Sequence, residues 1–219
     1  RLDEARLGGA GVGAILADLA EGVAYILAKR GILALITLAA TVHLLLRPYT
    51  DLLPGFSAQV FGLGASGYAT FLSTIGAGAL LGGVWLVLRG GMGGLTRILL
   101  TGVLGTALSL VVFTSSDSFW VAETCMFLSG FFLVCQAVAS QSLVQGSIEP
   151  ALRGRVISVT TAIAIGFPAL GALILGQIGD VTGVQAPVLG AALLAIVLWL
   201  VLAPRLRRWA GELESPDRR

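Results

Sequence analysis

Six apolar runs follow one another along the chain, at residues 32–53, 66–88, 98–114, 119–144, 156–176 and 187–203. Each is near the roughly 20 residues that a bilayer crossing needs. Ahead of them, Leu16, Leu19, Val23, Ile26 and Leu27 recur at helical spacing, while Asp18, Glu21 and Lys29 occupy other faces. That segment is too polar to span and reads as an amphipathic helix along the membrane surface. The pattern predicts an all-α membrane protein in three parts: a charged lead-in over 1–30, a six-span bundle over 31–204 and a charged tail over 205–219. Residues 54–65 read as a linker with a short interfacial helix through Phe56, Val60 and Phe61.

Composition agrees with the pattern. Hydrophobic residues make up 56% of the chain, charged ones only 12%, and the mean hydropathy is +0.93; soluble domains carry about 25% charged residues. The net charge of +2 says little, but the placement of charge says more. Lys29 and Arg30, Arg89 and Arg97, Arg153 and Arg155, and Arg205, Arg207 and Arg208 all fall in linkers on one side of the expected spans. The opposite linkers carry only Asp117 and Asp180. The positive-inside rule then puts both ends in the cytoplasm. The opening Arg1-Leu-Asp-Glu has no initiator Met and no signal peptide, so a fragment or a processed chain is expected. Cys125 and Cys135 would lie about 15 Å apart on one helix, too far for a disulfide. With one histidine in the chain, the sequence assembles no metal centre from soft ligands, and no cofactor or nucleic-acid partner is called for.

The candidate chemistry sits inside the runs. On a regular helix His43, Arg47 and Asp51 stack at i, i+4 and i+8, with Pro48 introducing a bend beside them. Ionisable groups at membrane depth usually face a protein interior or a wet cavity. Glu123 in the fourth run shares a helix face with Gly130, Val134 and Gln141, which predicts a path along that face. Arg47 and Glu123 lie at similar depth, so they are expected to pair. The second run is glycine-patterned at Gly67, Gly76, Gly78, Gly82 and Gly83, and the fifth at Gly166, Gly171 and Gly176 with Pro168. Small residues at such spacings let helices approach closely in lipid. Taken in threes, the runs repeat weakly: one and four carry ionisable residues, two and five glycine, three and six plain aliphatics. Triplets entering from opposite sides make an inverted-topology repeat, a common transporter plan.

Other motifs fail on context. Gly62-Leu-Gly-Ala-Ser-Gly67 matches the dinucleotide fingerprint by letter, yet follows no strand and has no acid before Asp117. The phosphate-loop ending Gly-Lys-Ser/Thr is absent. Ser129-Gly130 lacks the earlier glycine of an intramembrane serine protease, because Phe127 stands there.

Four stretches resemble the second half of a major facilitator superfamily transporter, closest to the bacterial exporter branch of siderophore and drug effluxers that includes enterobactin exporters. They are Asp18-Leu-Ala-Glu-Gly-Val-Ala-Tyr25, Arg47-Pro-Tyr-Thr-Asp-Leu-Leu-Pro54, Gly76-Ala-Gly-Ala-Leu-Leu-Gly82 and Pro150-Ala-Leu-Arg-Gly-Arg-Val156. Gly166-Phe-Pro-Ala-Leu-Gly171 is similar to an exporter Gly-Pro motif. The loop Arg89-Gly-Gly-Met-Gly-Gly-Leu-Thr-Arg97 keeps the basic ends of a family latch but has no acid. The resemblance implies twelve spans in the whole molecule, with spans one and four of this half lining the substrate path.

The expectation is therefore a non-enzymatic secondary transporter of the bacterial inner membrane, an exporter of a small amphipathic molecule by alternating access. Its partners are the lipid bilayer, a further six-helix half, the substrate and, through His43, Asp51 or Glu123, protons in antiport. Path or coupling residues are His43, Arg47, Asp51, Glu123 and Gln141. Packing or gating falls to Pro48, Gly76, Gly78, Gly82, Gly166, Pro168 and Gly171, with Arg153 and Arg155 in a cytoplasmic loop. A six-span membrane scaffold is the alternative.

Overall fold

A computed structural model describes residues 12–91, 93–150 and 152–214, with side chains from Leu19 onward. Among these residues the chain forms seven helices and no strand. They are α1 (Val12–Ala28), α2 (Arg30–Val60), α3 (Gly64–Arg89), α4 (Leu95–Thr114), α5 (Phe119–Ser147), α6 (Arg153–Thr182) and α7 (Gln185–Leu213). The last six are long and apolar enough to cross a membrane. Glycines close two of them where the backbone turns left-handed: Gly90 after α3 (φ 59°) and Gly183 after α6 (φ 82°). Short linkers reverse the chain after each span, so Lys29, Arg30, Arg89, Arg97, Arg153, Arg155 and Arg205 gather at one end, the basic end.

Two spans outrun their sequence boundaries. α2 continues to Val60 instead of stopping at Leu53, because Phe56 and Ser57 are fully buried and hold the backbone in register. It does so by widening twice, at Val42–Leu46 and Phe56–Val60, where Arg47 N–H reaches the Val42 carbonyl (2.8 Å) and Phe61 N–H the Phe56 carbonyl (3.2 Å). Such i→i+5 turns add a residue without ending the helix. α7 likewise runs through Pro204 to Leu213, so much of the expected tail is helix.

The bundle is set by two helix crossings of the same design. On α3, Gly78 lies against the Phe127 carbonyl of α5, and Gly130 of α5 in return lies against the Ile75 carbonyl of α3. On α6, Gly171 lies against the Leu44 carbonyl and the Pro48 ring of α2. A side chain at any of these glycines would overlap the facing atoms, well inside the ~3.5–4.0 Å of ordinary carbon contact. Exchanging α2 with α5 and α3 with α6 turns one crossing into the other, which is the pairing that the three-plus-three repeat requires. Gly82 extends the α3–α5 seam, with its Cβ position 2.8 Å from the Phe131 carbonyl oxygen. Gly76 and Gly166 differ: nothing described lies within 4 Å of a Cβ there, so neither closes a contact inside this bundle.

Polar and aromatic contacts finish each end. Away from the basic end, Phe56, Phe71 and Phe113 are fully buried and stack with Phe61 and Phe119, at centroid distances of 4.7–6.2 Å. At the basic end, Glu214 just beyond α7 accepts from Gly94 N–H (2.7 Å) and Thr96 N–H (2.8 Å), capping α4. The acid missing from the Arg89–Arg97 loop is thus supplied from the far end of the chain. Glu21 pairs with Arg155 at 2.7 Å, and Lys29 with Glu149 at 3.3 Å, tying α1 and the start of α2 to the α5–α6 turn. The outer faces of α3, α6 and α7 stay apolar and open, with Leu80, Val87, Leu88, Ile165, Leu173 and Val181 among the exposed residues.

Two outcomes follow from these contacts. Gly78→Leu and Gly171→Leu should each destabilise the detergent-solubilised protein by about 3 kcal/mol or more, since overpacking against backbone has little room to relax. Gly76→Leu should fold normally; equal melting temperatures for all three would refute the crossings.

The second concerns Glu214. Burial pushes its carboxyl up, but the Thr96 and Gly94 N–H groups and nearby Arg89 outweigh that and hold its pKa below the ordinary value. A lowered folded pKa means that the cap stabilises above the unfolded value, roughly 4.3, and fades as pH falls through the folded one. Glu214→Gln should therefore lower the melting temperature at pH 7, and the gap to the parent should narrow as pH falls below the unfolded value and close once it passes the lower folded one. A gap that persists unchanged in acid would show the cap is not ionic.

Candidate functional site

Between α2, α5 and α6, with Leu99 of α4 at the back, lies a cavity of about 270 Å³. The wall residues lie toward the basic end of their spans, Ile36 to His43 on α2, Leu133 to Gln145 on α5 and Ile157 to Ala164 on α6, with Arg47 just past the middle of α2. The aromatic cluster closes the other end. Between cavity and cluster, the buried Tyr49 hydroxyl meets Ser129 Oγ at 2.9 Å, while Ser129 Oγ donates to the Met126 carbonyl at 2.8 Å. With the serine proton so committed, Tyr49 is the donor, and the pair ties α2 to α5.

The proline bend shapes the α2 wall. Pro48 has no N–H for the Leu44 carbonyl, and the helix relaxes into the wide turn at Val42–Leu46. Gly171 then packs on that carbonyl and on the proline ring. The widened turn also undoes the expected stack. His43 and Arg47 both line the cavity, but Asp51 is exposed and outside it, because the backbone tightens after the wide turn: Thr50 N–H reaches the Arg47 carbonyl (3.3 Å) and Asp51 N–H the Pro48 carbonyl (3.0 Å), and these i→i+3 bonds carry residue 51 off the i, i+4 face. Since α2 extends to Val60, Arg47 sits about 20 Å from that end by helix rise, deeper than a span ending at Leu53 implies.

On α5 the expected path divides in two. Gln141 lines the cavity, together with Gln136, Ser140 and Gln145. Glu123 and Gly130 occupy the same face farther along, but there the neighbour is α3. Thr74 Oγ1 donates to Glu123 Oε2, and Gly130 is pressed on Ile75. One face of a 29-residue helix meets a crossing helix at one depth and a cavity at another. The expected pairing of Glu123 with Arg47 is absent: among the described residues no ion pair joins them, and Thr74 takes the carboxylate. Its second oxygen, Oε1, is buried without a partner.

Three further residues escaped the sequence reading. Gln136 is only 2% exposed, and neither its Oε1 nor its Nε2 has a hydrogen-bond partner. His43 Nδ1 is similarly unpartnered. Ser140 and Gln145 complete a polar stripe, with Gln136/Ser140 and Gln141/Gln145 each spaced i, i+4 in an otherwise apolar run. That spacing was the available signal. Thr160 and Thr161 face the stripe from α6. Pro168 denies the Ala164 carbonyl its usual donor, and Ala164 is on the cavity wall. Arg153 is exposed and Arg155 is bound to Glu21, so both act at the basic rim and not in the cavity.

Compared with known families, residues 12–218 match the major facilitator superfamily model described as transmembrane secretion effector. No curated protein and no solved structure matches the chain.

The geometry predicts that Glu123 couples to Thr74 rather than to Arg47. In thermal unfolding, Glu123→Gln with Thr74→Val should show a coupling energy of roughly 0.5–3 kcal/mol, whereas Glu123→Gln with Arg47→Gln should add within about 0.5 kcal/mol. The reverse pattern would restore the expected pair.

Proposed function

The chain belongs to the transmembrane secretion effector family of the major facilitator superfamily, and on that premise we propose that it exports a small amphipathic molecule by alternating access. It is a multi-pass membrane protein of a transporter family, and the reading carries no enzymatic step. The observation that supports export through this bundle is the cavity itself. It holds His43, Arg47, Gln136 and Gln141 at membrane depth, on the basic side of an aromatic seal at the opposite end. Polar groups in a lipid-facing wall are costly, so a wet, ligand-binding path is their economical explanation.

Orientation follows from the charges. Basic residues are retained on the cytoplasmic side, which in a bacterial inner membrane turns the cavity toward the cytoplasm and the aromatic cluster outward. The state described is then the loading state of an exporter. The open apolar faces of α3 and α6 suit lipid and a second six-span half against which this one rocks. Proton antiport is assigned to His43 in the cavity and to Glu123 at the α3–α5 seam, whose carboxyl has one buried free oxygen; Asp51, exposed on α2, is the remaining titrating group.

In a background with Cys125→Ala and Cys135→Ala, Gly154→Cys should react with an impermeant thiol reagent only from the cytoplasmic side, and Asp117→Cys only from outside. Gln141→Cys should switch its accessible side when an outward proton gradient or substrate is applied to proteoliposomes. Accessibility fixed on one side under all conditions would refute alternating access, and inverted labelling of positions 117 and 154 would refute the orientation.

A further inference from the structure

We infer that the cavity binds organic anions: molecules with an apolar body and one acidic group, the acid held by Arg47 and a neighbouring polar group held by the Gln136 amide. The inference rests on the cavity being the transport path and adds the chemical class of what travels it.

Three observations carry it. Arg47 is the one full charge on the cavity wall, and no Asp or Glu lines it. Its nearest sequence acid, Asp51, is exposed and outside the cavity, and Glu123 is held by Thr74 at another seam. Arg47 is itself exposed where it lines the cavity, and among the described residues it makes no ion pair. A guanidinium at membrane depth is strongly disfavoured unless an anion or water compensates it. Second, Gln136 is 98% buried, lines the cavity, and leaves both amide atoms unpaired. Buried amides in folded proteins are nearly always satisfied, and an orphan at a cavity wall marks a ligand position. Gln136 has a donor and an acceptor to offer, so it suits an acid, ester or amide oxygen beside a hydroxyl or N–H. Third, ten of the eighteen wall residues are apolar, among them Ile36, Val42, Leu99, Leu133 and Ile157, which suits the hydrophobic body. The volume of about 270 Å³ sits near the low end of small-molecule sites, roughly 300 Å³. Arginine, with its planar fork of donors, is the side chain best matched to carboxylate, sulfonate or phosphate oxygens.

The test uses one ring system at three charges: 2-naphthoate, 2-naphthamide and (2-naphthyl)methylammonium. Binding is read by fluorescence with the intact protein in lipid nanodiscs, and empty nanodiscs set the background. The carboxylate should bind at least tenfold more tightly than the carboxamide, and the ammonium should bind weakest. Arg47→Gln should bring carboxylate and carboxamide within threefold of each other, whereas Arg47→Lys should keep the preference. Gln136→Glu, nearly isosteric, places an internal acid in the cavity and should cost the carboxylate at least tenfold while changing the carboxamide less than threefold. Ammonium binding equal to or tighter than carboxylate binding, or a ranking that survives Arg47→Gln, would overturn the anion assignment and leave the cavity as a binding site for another class. If none of the three binds, and none slows labelling of Gln141→Cys, the transport path itself is misplaced and both readings fall.

Discussion

Two glycines resting on two carbonyl oxygens hold this bundle in its shape. Gly78 on the Phe127 carbonyl brings α3 and α5 to backbone distance, and Gly171 on the Leu44 carbonyl does the same for α6 and α2. In lipid there is no hydrophobic force to drive helices together, so close backbone approach and its dispersion gain must supply the association. With α3 drawn onto α5 and α6 onto α2, the two symmetry-related helices α2 and α5 are left facing each other. They are bridged by Tyr49 and Ser129 at one depth and parted around a cavity at another. The site is a by-product of where the crossings fall.

The same contact explains the wide turn. A proline in mid-helix would ordinarily leave a carbonyl unsatisfied and a kink behind. Here the Leu44 carbonyl and the Pro48 ring become the floor on which Gly171 lands, so the irregularity of α2 is also its docking surface. The tight i→i+3 bonds that follow, from Thr50 to Arg47 and from Asp51 to Pro48, turn Asp51 away from the cavity that His43 and Arg47 line. The membrane protein thereby keeps a cation in its cavity and removes the carboxylate that would neutralise it.

Much of this was legible from residue types alone. Six spans, their alternation of charge and the three-plus-three repeat follow from hydropathy, charge and glycine placement, which are local properties. The end of α2 was not legible, because Pro54, Gly55, Ser57 and Gln59 read as a linker until Phe56 and Ser57 are seen buried against other spans. The His43–Arg47–Asp51 stack failed because helical periodicity assumes a constant turn, and around Pro48 the turn is wide before Arg47 and tight after it. Glu123 was correctly placed on the face of Gln141, yet a face does not reveal its neighbour at each depth. Gln136 was readable as one of a polar stripe, but its lack of a partner is a property of the packed structure. The cap on α4 came from Glu214, 118 residues from Thr96, beyond any local pattern.

Arg47 imposes one more condition on the whole design. If a bound anion neutralises it, the empty cavity must do so by other means, and the only means at hand is water. A volume of about 270 Å³ holds on the order of nine waters at ~30 Å³ each, enough to hydrate a guanidinium and the orphan amide of Gln136. A wet cavity that reaches past mid-span is harmless only if water and ions cannot continue through. The residues between it and the far end are those that leave no polar route: Tyr49 and Ser129 satisfy each other, and behind them Phe56, Phe71 and Phe113 are packed ring on ring at zero or near-zero exposure. The aromatic cluster is therefore the counterpart of the arginine. The more strongly the cavity must be hydrated to tolerate its charge, the drier the opposite end has to be.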